Sequence, residues 1–333
     1  MGLDAMSNRK SHIEQTAQDA HAAAQRIASY VRQTPLDFSP RFSAITGANV
    51  YFKLENLQYT GSFKLRGAFN RLLSLSDETR EAGCVTASSG NHGAAVACAM
   101  QTLGVKGTIF VPEETSSVKV DAIRAYGGDV RFYGQDGLDT EQHARAWAAE
   151  NGMYYLSPYN DPAVIAGQGS CGVEIATQLP EVDALFVAVG GGGLISGVGS
   201  VLRESRAGVS IVACQPKNSA VMTESVKAGE ILQLPSEPTL SDGTAGGIEE
   251  GAITFDLCRQ LVDQYRVVSE AQIGAAMRQY MDAEHQLIEG AAGVAIAGLL
   301  QDPGDFTGKN VVVLICGANI SRSKLASVLD DPA

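Results

Sequence analysis

The chain has 333 residues, 45% hydrophobic and 19% charged, which fits a globular protein of two domains or one large α/β unit. A net charge of −12 argues against nucleic acid or an anionic membrane surface as a partner. Six cysteines without a C-x-x-C spacing read as buried thiols of a reducing cytosol, and five scattered histidines form no H-x-x-x-H metal pair.

From the N-terminus, no apolar stretch suggests a secretory signal, and Met6 stands where a myristoylation motif needs Ser or Thr. The first ten residues read as a mobile tail. Short apolar runs follow at 50–54, 84–87, 107–111, 129–132, 153–156, 184–189, 211–214 and 311–315, alternating with helical patterns. That alternation predicts an α/β architecture with largely parallel sheets and ligands at the carboxyl ends of the strands. No repeat or low-complexity segment interrupts it.

Three segments carry chemistry. The first is Gly61-Ser62-Phe63-Lys64, which precedes a helical pattern of Leu65, Ala68, Phe69 and Leu72. Most lysines are solvated surface charges. One at the first turn of a helix sits at the positive end of the dipole, which lowers its pKa and favours the neutral amine that forms a Schiff base with an aldehyde. The second segment, Ser88-Ser89-Gly90-Asn91-His92-Gly93, lies between the run 84–87 and a small-residue helix. An ordinary N-cap needs one polar side chain; four among five positions offer donors to an anion such as a carboxylate.

The third is Gly190-Gly191-Gly192-Gly193-Leu194, between a strand and a helix, where the backbone can close around a phosphate. A dinucleotide fingerprint fits poorly, because Ser196 takes its third glycine position and the next strand runs into Gln215 rather than an acid. A membrane span over the uncharged residues 184–202 is implausible with four glycines at its centre. An amine nucleophile, a carboxylate loop and a phosphate loop without a metal cluster match pyridoxal 5'-phosphate acting on an amino acid.

With Cys316-Gly317-Ala318-Asn319, the 162–169 segment and Leu287-Ile288-Glu289, these motifs resemble the serine/threonine dehydratase and serine racemase family of fold type II pyridoxal-phosphate enzymes, over about residues 34–320. The resemblance implies two open, twisted, mainly parallel sheets flanked by helices, with the cofactor in the cleft between domains. It implies a large domain of residues 1–82 and 159–333, a small one of 83–158, and a cytoplasmic homo-oligomer, by default a dimer. Little chain follows Cys316, so no regulatory domain and no feedback control are expected.

By the same resemblance Lys64 would carry the cofactor and move the Cα proton, and Phe63 would pack on its ring. Asn91 would bond the ring hydroxyl, and Ser88, Ser89, Gly90 and His92 would hold the substrate carboxylate. Gly190, Gly191, Gly192, Gly193 and Leu194 would bind the phosphate, and Cys316 would face the pyridine nitrogen. A neutral thiol cannot hold that nitrogen protonated as an aspartate would, so prompt loss of a β-hydroxyl is the natural outcome. Glu289, Asp242 and Tyr159 are further candidates. The acidic pair that binds a divalent cation in many relatives is replaced by Gln215 and Val221, so no metal is expected.

The resulting expectation is a dehydratase that converts a β-hydroxy amino acid, threonine or serine by default, through an aminoacrylate to a 2-oxo acid and ammonia. Hydroxyaspartate, phenylserine or a hydroxyectoine breakdown product remain open as substrates. A racemase using Ser89 opposite Lys64 is the near alternative. Cysteine synthases carry Asp after the lysine and Thr in place of His92, which disfavours a β-replacement synthase. A non-catalytic carrier is disfavoured by the intact Lys64, Ser89 and Cys316.

Overall fold

The computed structural model describes residues 3–330, with side-chain surroundings from residue 12 onward. The chain starts one sheet with β1 (Leu36–Phe38) and β2 (Asn49–Leu54), then leaves it for a second sheet. That second sheet comprises β3 (Cys84–Ala87), β4 (Gly107–Val111), β5 (Asp129–Phe132) and β6 (Tyr154–Tyr155). The chain returns to the first sheet with β7 (Ala184–Ala188), β8 (Ser210–Pro216), β9 (Gln264–Val268) and β10 (Asn310–Ile315). The strand orders are β1-β2-β10-β7-β8-β9 and β5-β4-β3-β6, and among the described strands only the β1–β2 pair is antiparallel.

The parallel strands form where apolar side chains fill both faces. Val311, Val312, Val313, Leu314 and Ile315 of β10 are all buried, as a central strand covered by helices on both sides requires. β1 and β9 carry no such run and escaped the sequence reading. β1 has three residues, two of them exposed, at one edge of its sheet. β9 is the other edge and carries Arg266, buried by ion pairing to Asp305 at 2.6 Å and Asp302 at 3.2 Å. The N-terminal segment differs from expectation too. A helix spans Leu3–Ile27 in place of the tail, while residues 1 and 2 lie outside the described residues.

The helix Lys64–Ser74 is anchored from beneath by a buried charge cluster. Arg66 makes a two-pronged contact with Glu55, from Nε to Oε2 and from a terminal nitrogen to Oε1, both 2.7 Å. Its other terminal nitrogen reaches Glu174 Oε1 at 2.6 Å, and Lys53 Nζ meets Glu174 Oε2 at 2.5 Å. Two cations and two carboxylates balance, and Thr34 supplies further hydrogen bonds. The geometry suits guanidinium and not ammonium, because only the planar fork reaches both acids. Next to it, Gly67 and Gly167 let two helices cross closely. A Cβ on Gly167 would fall 2.7 Å from Gly67 Cα. Removing one member of a buried charge cluster strands the others, so Arg66→Met should destabilise the cofactor-free protein by about 3–5 kcal/mol. Urea unfolding followed by circular dichroism measures this.

Candidate active site

The carboxyl ends of β3, β7 and β10 open onto one cleft between the two sheets, a cavity of about 1230 Å³. Lys64 enters it as the first residue of its helix, because Ser62 pairs with Gly317 as an antiparallel bridge and Phe63 N–H donates to Cys316 C=O at 3.1 Å. Those two contacts bring the amine and the thiol to the same wall. Lys64 Nζ donates to Pro158 C=O at 2.9 Å and lies 5.2 Å from the Phe63 ring centroid. Its pKa falls from 10.5 to about 8. The direction agrees with the helix-dipole argument, but burial is the leading cause, opposed by Cys316 and Glu289.

On the facing wall, the turn after β3 runs into the helix Asn91–Leu103, so Asn91 and His92 occupy its first turn. Ser88 and Ser89 are half-buried and Gly90 is exposed to the cleft. His92 is buried with Nε2 at 3.2 Å from the Leu156 carbonyl, which only accepts, so Nε2 carries the hydrogen. Burial and the nearby Lys64 lower its pKa to about 3, which leaves the ring neutral and Nδ1 a bare acceptor. An imidazole in that state cannot hold a carboxylate. The only anion-binding group His92 retains is its main-chain N–H.

The glycine run closes the third side. Gly192 has φ +85°, a left-handed conformation that favours glycine, and it caps the helix Gly193–Ser205. A Cβ on Gly191 would fall 2.4 Å from the Tyr159 ring. Tyr159 therefore forms the lid of the glycine loop, fixed by Glu249 N–H donating to its hydroxyl at 2.9 Å. The helix N-terminus leaves main-chain N–H groups beside the cavity, a cradle for phosphate oxygens.

Glu289 and Asn319 complete the floor. Asn91 Nδ2 donates to both Glu289 oxygens at 3.0 and 2.9 Å, and Asn319 Nδ2 donates to Asn91 Oδ1 at 2.7 Å. Cys316 Sγ lies 3.8 Å from Glu289 Oε1. Burial raises Glu289 to about 7 and pushes the Cys316 thiol well above its ordinary value, so the thiol is neutral. Asn319 had no role in the sequence reading although it closes the Cys316 motif; nothing local shows that it turns back to Thr60. Asp242 stands at the rim, paired with Lys324 and 3.9 Å from Lys119 of the opposite wall. Arg145 and Glu249 bridge the walls elsewhere at 2.7 Å.

A neutral-leaning amine, a glycine cradle at a helix N-terminus and a neutral thiol form a donor set that pyridoxal phosphate fits. The "Pyridoxal-phosphate dependent enzyme" family profile matches residues 27–317. The chain belongs to that family. It is 36% identical over 315 residues to the L-threonine ammonia-lyase of Thermotoga maritima, covering 95% of this chain and 78% of that one. The processed form of threonine deaminase isoform 2 from Solanum lycopersicum superposes with a TM-score of 0.91 at 36% identity, over 96% of this chain and 92% of that one. Maize serine racemase superposes with a TM-score of 0.88 at 32% identity, over 94% and 96%. This is a fold type II pyridoxal-phosphate enzyme, and its relatives place it with the threonine-dehydratase-like lyases.

The Lys64 shift has a measurable consequence for this enzyme. The unfolded chain holds the amine proton to about 10.5 and the folded chain only to about 8, so between them the unfolded state binds more protons. Stability of the cofactor-free protein should therefore rise with pH across that window, by at most about 1.4 kcal/mol per unit. Lys64→Met should flatten the rise in urea midpoints measured from pH 8 to 10.

Proposed function

We propose that this enzyme dehydrates a small β-hydroxy amino acid, threonine or serine by default, to a 2-oxo acid and ammonia. The observation that carries the reading is one wall that holds both a low-pKa amine, Lys64, and a neutral thiol, Cys316, joined by the bridge between Ser62 and Gly317. Lys64 and the glycine loop would hold pyridoxal phosphate, Phe63 would flank its ring, Asn91 would meet the ring oxygen, and Cys316 the ring nitrogen. The bound cofactor supplies an electron sink for the substrate Cα.

The protein groups then have separate tasks. The hydroxyls of Ser88 and Ser89, with the main-chain N–H groups of Ser89 and His92, would orient the substrate carboxylate, and Gly90, whose N–H donates to Ser88 Oγ at 3.3 Å, shapes the turn that presents them. Lys64, whose ammonium form burial disfavours, takes the Cα proton. A thiol that stays neutral would leave the ring nitrogen without a fixed proton, which would favour loss of the β-hydroxyl as water, carrying the proton that Lys64 removed from Cα. Hydrolysis of the remaining enamine releases the oxo acid and ammonia.

A second reading rests on Ser89, whose hydroxyl has no hydrogen-bond partner among the described residues and lines the cleft. It is free to serve as acid or base on the substrate, as a racemase requires. Reading out oxo acid, ammonia and both enantiomers over a panel of β-hydroxy amino acids separates the two. Oxo acid should outrun enantiomer, and Lys64→Ala should lose roughly 10²–10⁴-fold in kcat/KM. Enantiomer accumulating first would make the enzyme an isomerase.

Metal independence is part of the proposal. Gln215 Oε1 is occupied by Thr223, accepting from its N–H and hydroxyl at 2.7 Å each, and Val221 is a buried apolar side chain. Turnover should be unchanged after chelation and after adding magnesium or calcium. A saturable loss and recovery would reject it.

A further inference from the structure

We propose that Glu289 is a positioning residue for Asn91, locking its amide so that the nitrogen side is the one offered to the cofactor's ring oxygen. The inference rests on the reading above that Asn91 meets that oxygen, and extends it to a residue with no assigned role.

An asparagine amide is ambiguous by itself, since its oxygen and nitrogen have the same shape. Here both ends are determined. On one side, an ionised carboxylate only accepts, and both Glu289 oxygens face Asn91 Nδ2 at 3.0 and 2.9 Å. On the other, Asn319 Nδ2 donates to Asn91 Oδ1 at 2.7 Å and to the Thr60 carbonyl at 2.9 Å. A main-chain carbonyl cannot exchange roles, so it fixes Asn319, and Asn319 fixes Asn91. The two Glu289 oxygens are nearly equidistant from Nδ2, so one of its hydrogens can serve both, and the other, with no further partner among the described residues, is left for a ligand.

Glu289 is seated for this task. It is the N-cap of the helix Gly290–Gln301, yet its side chain makes no capping bond and turns to Asn91 instead. Its own N–H donates to Gly317 C=O at 3.1 Å. A Cβ on Gly317 would lie 2.7 Å from Glu289 Oε1 and 2.8 Å from Cδ, so the glycine leaves the space the carboxylate occupies.

The lock depends on ionisation, because a protonated carboxyl can donate as well as accept. The titratable groups facing it are Cys316 at the end of β10, Lys64 on its helix and Asp242 at the rim. Burial holds Glu289 near 7, so raising the pH through that value engages the lock.

Glu289→Gln, Asn91→Ala and their combination test it, each purified without cofactor and titrated with pyridoxal phosphate by absorbance from pH 6 to 9. Glu289→Gln should weaken cofactor binding roughly tenfold, the loss of about one hydrogen bond. It should shift the visible band in the same direction as Asn91→Ala and abolish the change in that band near pH 7. The double variant should be no worse than Asn91→Ala. Gly317→Ala, which displaces the carboxylate while keeping it, should reproduce the shift, and decides the matter should the glutamine variant fail to fold. Wild-type affinity and spectrum in Glu289→Gln, or effects that multiply in the double variant, would overturn the proposal. A silent Asn91→Ala would remove the underlying reading as well, and with it the proposal.

Discussion

The hydrogen bond from Phe63 N–H to Cys316 C=O is the contact on which the site depends. It joins the start of one helix to the end of the central strand β10, from opposite ends of the chain. Without it Lys64 and Cys316 would belong to separate elements with no fixed relation. The Arg66 cluster secures the same helix from the inside, two residues past the amine. A rigid floor of this kind holds the Lys64 amine in one place relative to the cleft, which any positioned group needs, since a misplacement of about 1 Å costs much of its effect.

Burial acts on four titratable groups of the cleft in one sense. Lys64 and His92 are lowered, to about 8 and about 3, and Glu289 and Cys316 are raised. Each is moved toward its neutral form, since the charged form loses hydration. The protein thus contributes few fixed charges of its own. The main-chain N–H groups at the helix N-terminus beside the glycine run are left to receive an anion. Ion pairs stand at the rim, where Asp242 meets Lys119 and Lys324, and Arg145 and Glu249 bridge the walls outside the cavity.

Residues of the family motifs divide into two kinds when seen in three dimensions. Lys64, Ser88, Ser89 and the glycine run line the cavity. Arg66, Gly67 and Gly167 do not; they let helices cross and bind the charge cluster beneath. His92 is intermediate, its ring spent on the Leu156 carbonyl while its main chain faces the cleft turn. A motif therefore marks a constrained position, and only the fold tells whether the constraint is chemical or steric.

Strands filled on both faces were legible from the chain alone, because burial on two sides demands an uninterrupted apolar run such as 311–315. The amine, the serine-rich turn and the glycine loop were legible because their chemistry needs particular residue types in short stretches. Edge strands β1 and β9 were not, since one open side permits polar residues that carry no period. The contacts among Asn91, Glu289, Asn319 and Thr60 were equally hidden. Hydrogen-bond partners far apart in sequence leave no local pattern, and only the closing of β10 against β2 and β7 sets them side by side. Composition and motif pointed to the cofactor and put Lys64 forward as its candidate lysine; which way each amide points, and which nitrogen of His92 bears its hydrogen, was decided by packing, because donors and acceptors acquire direction only when their neighbours are fixed.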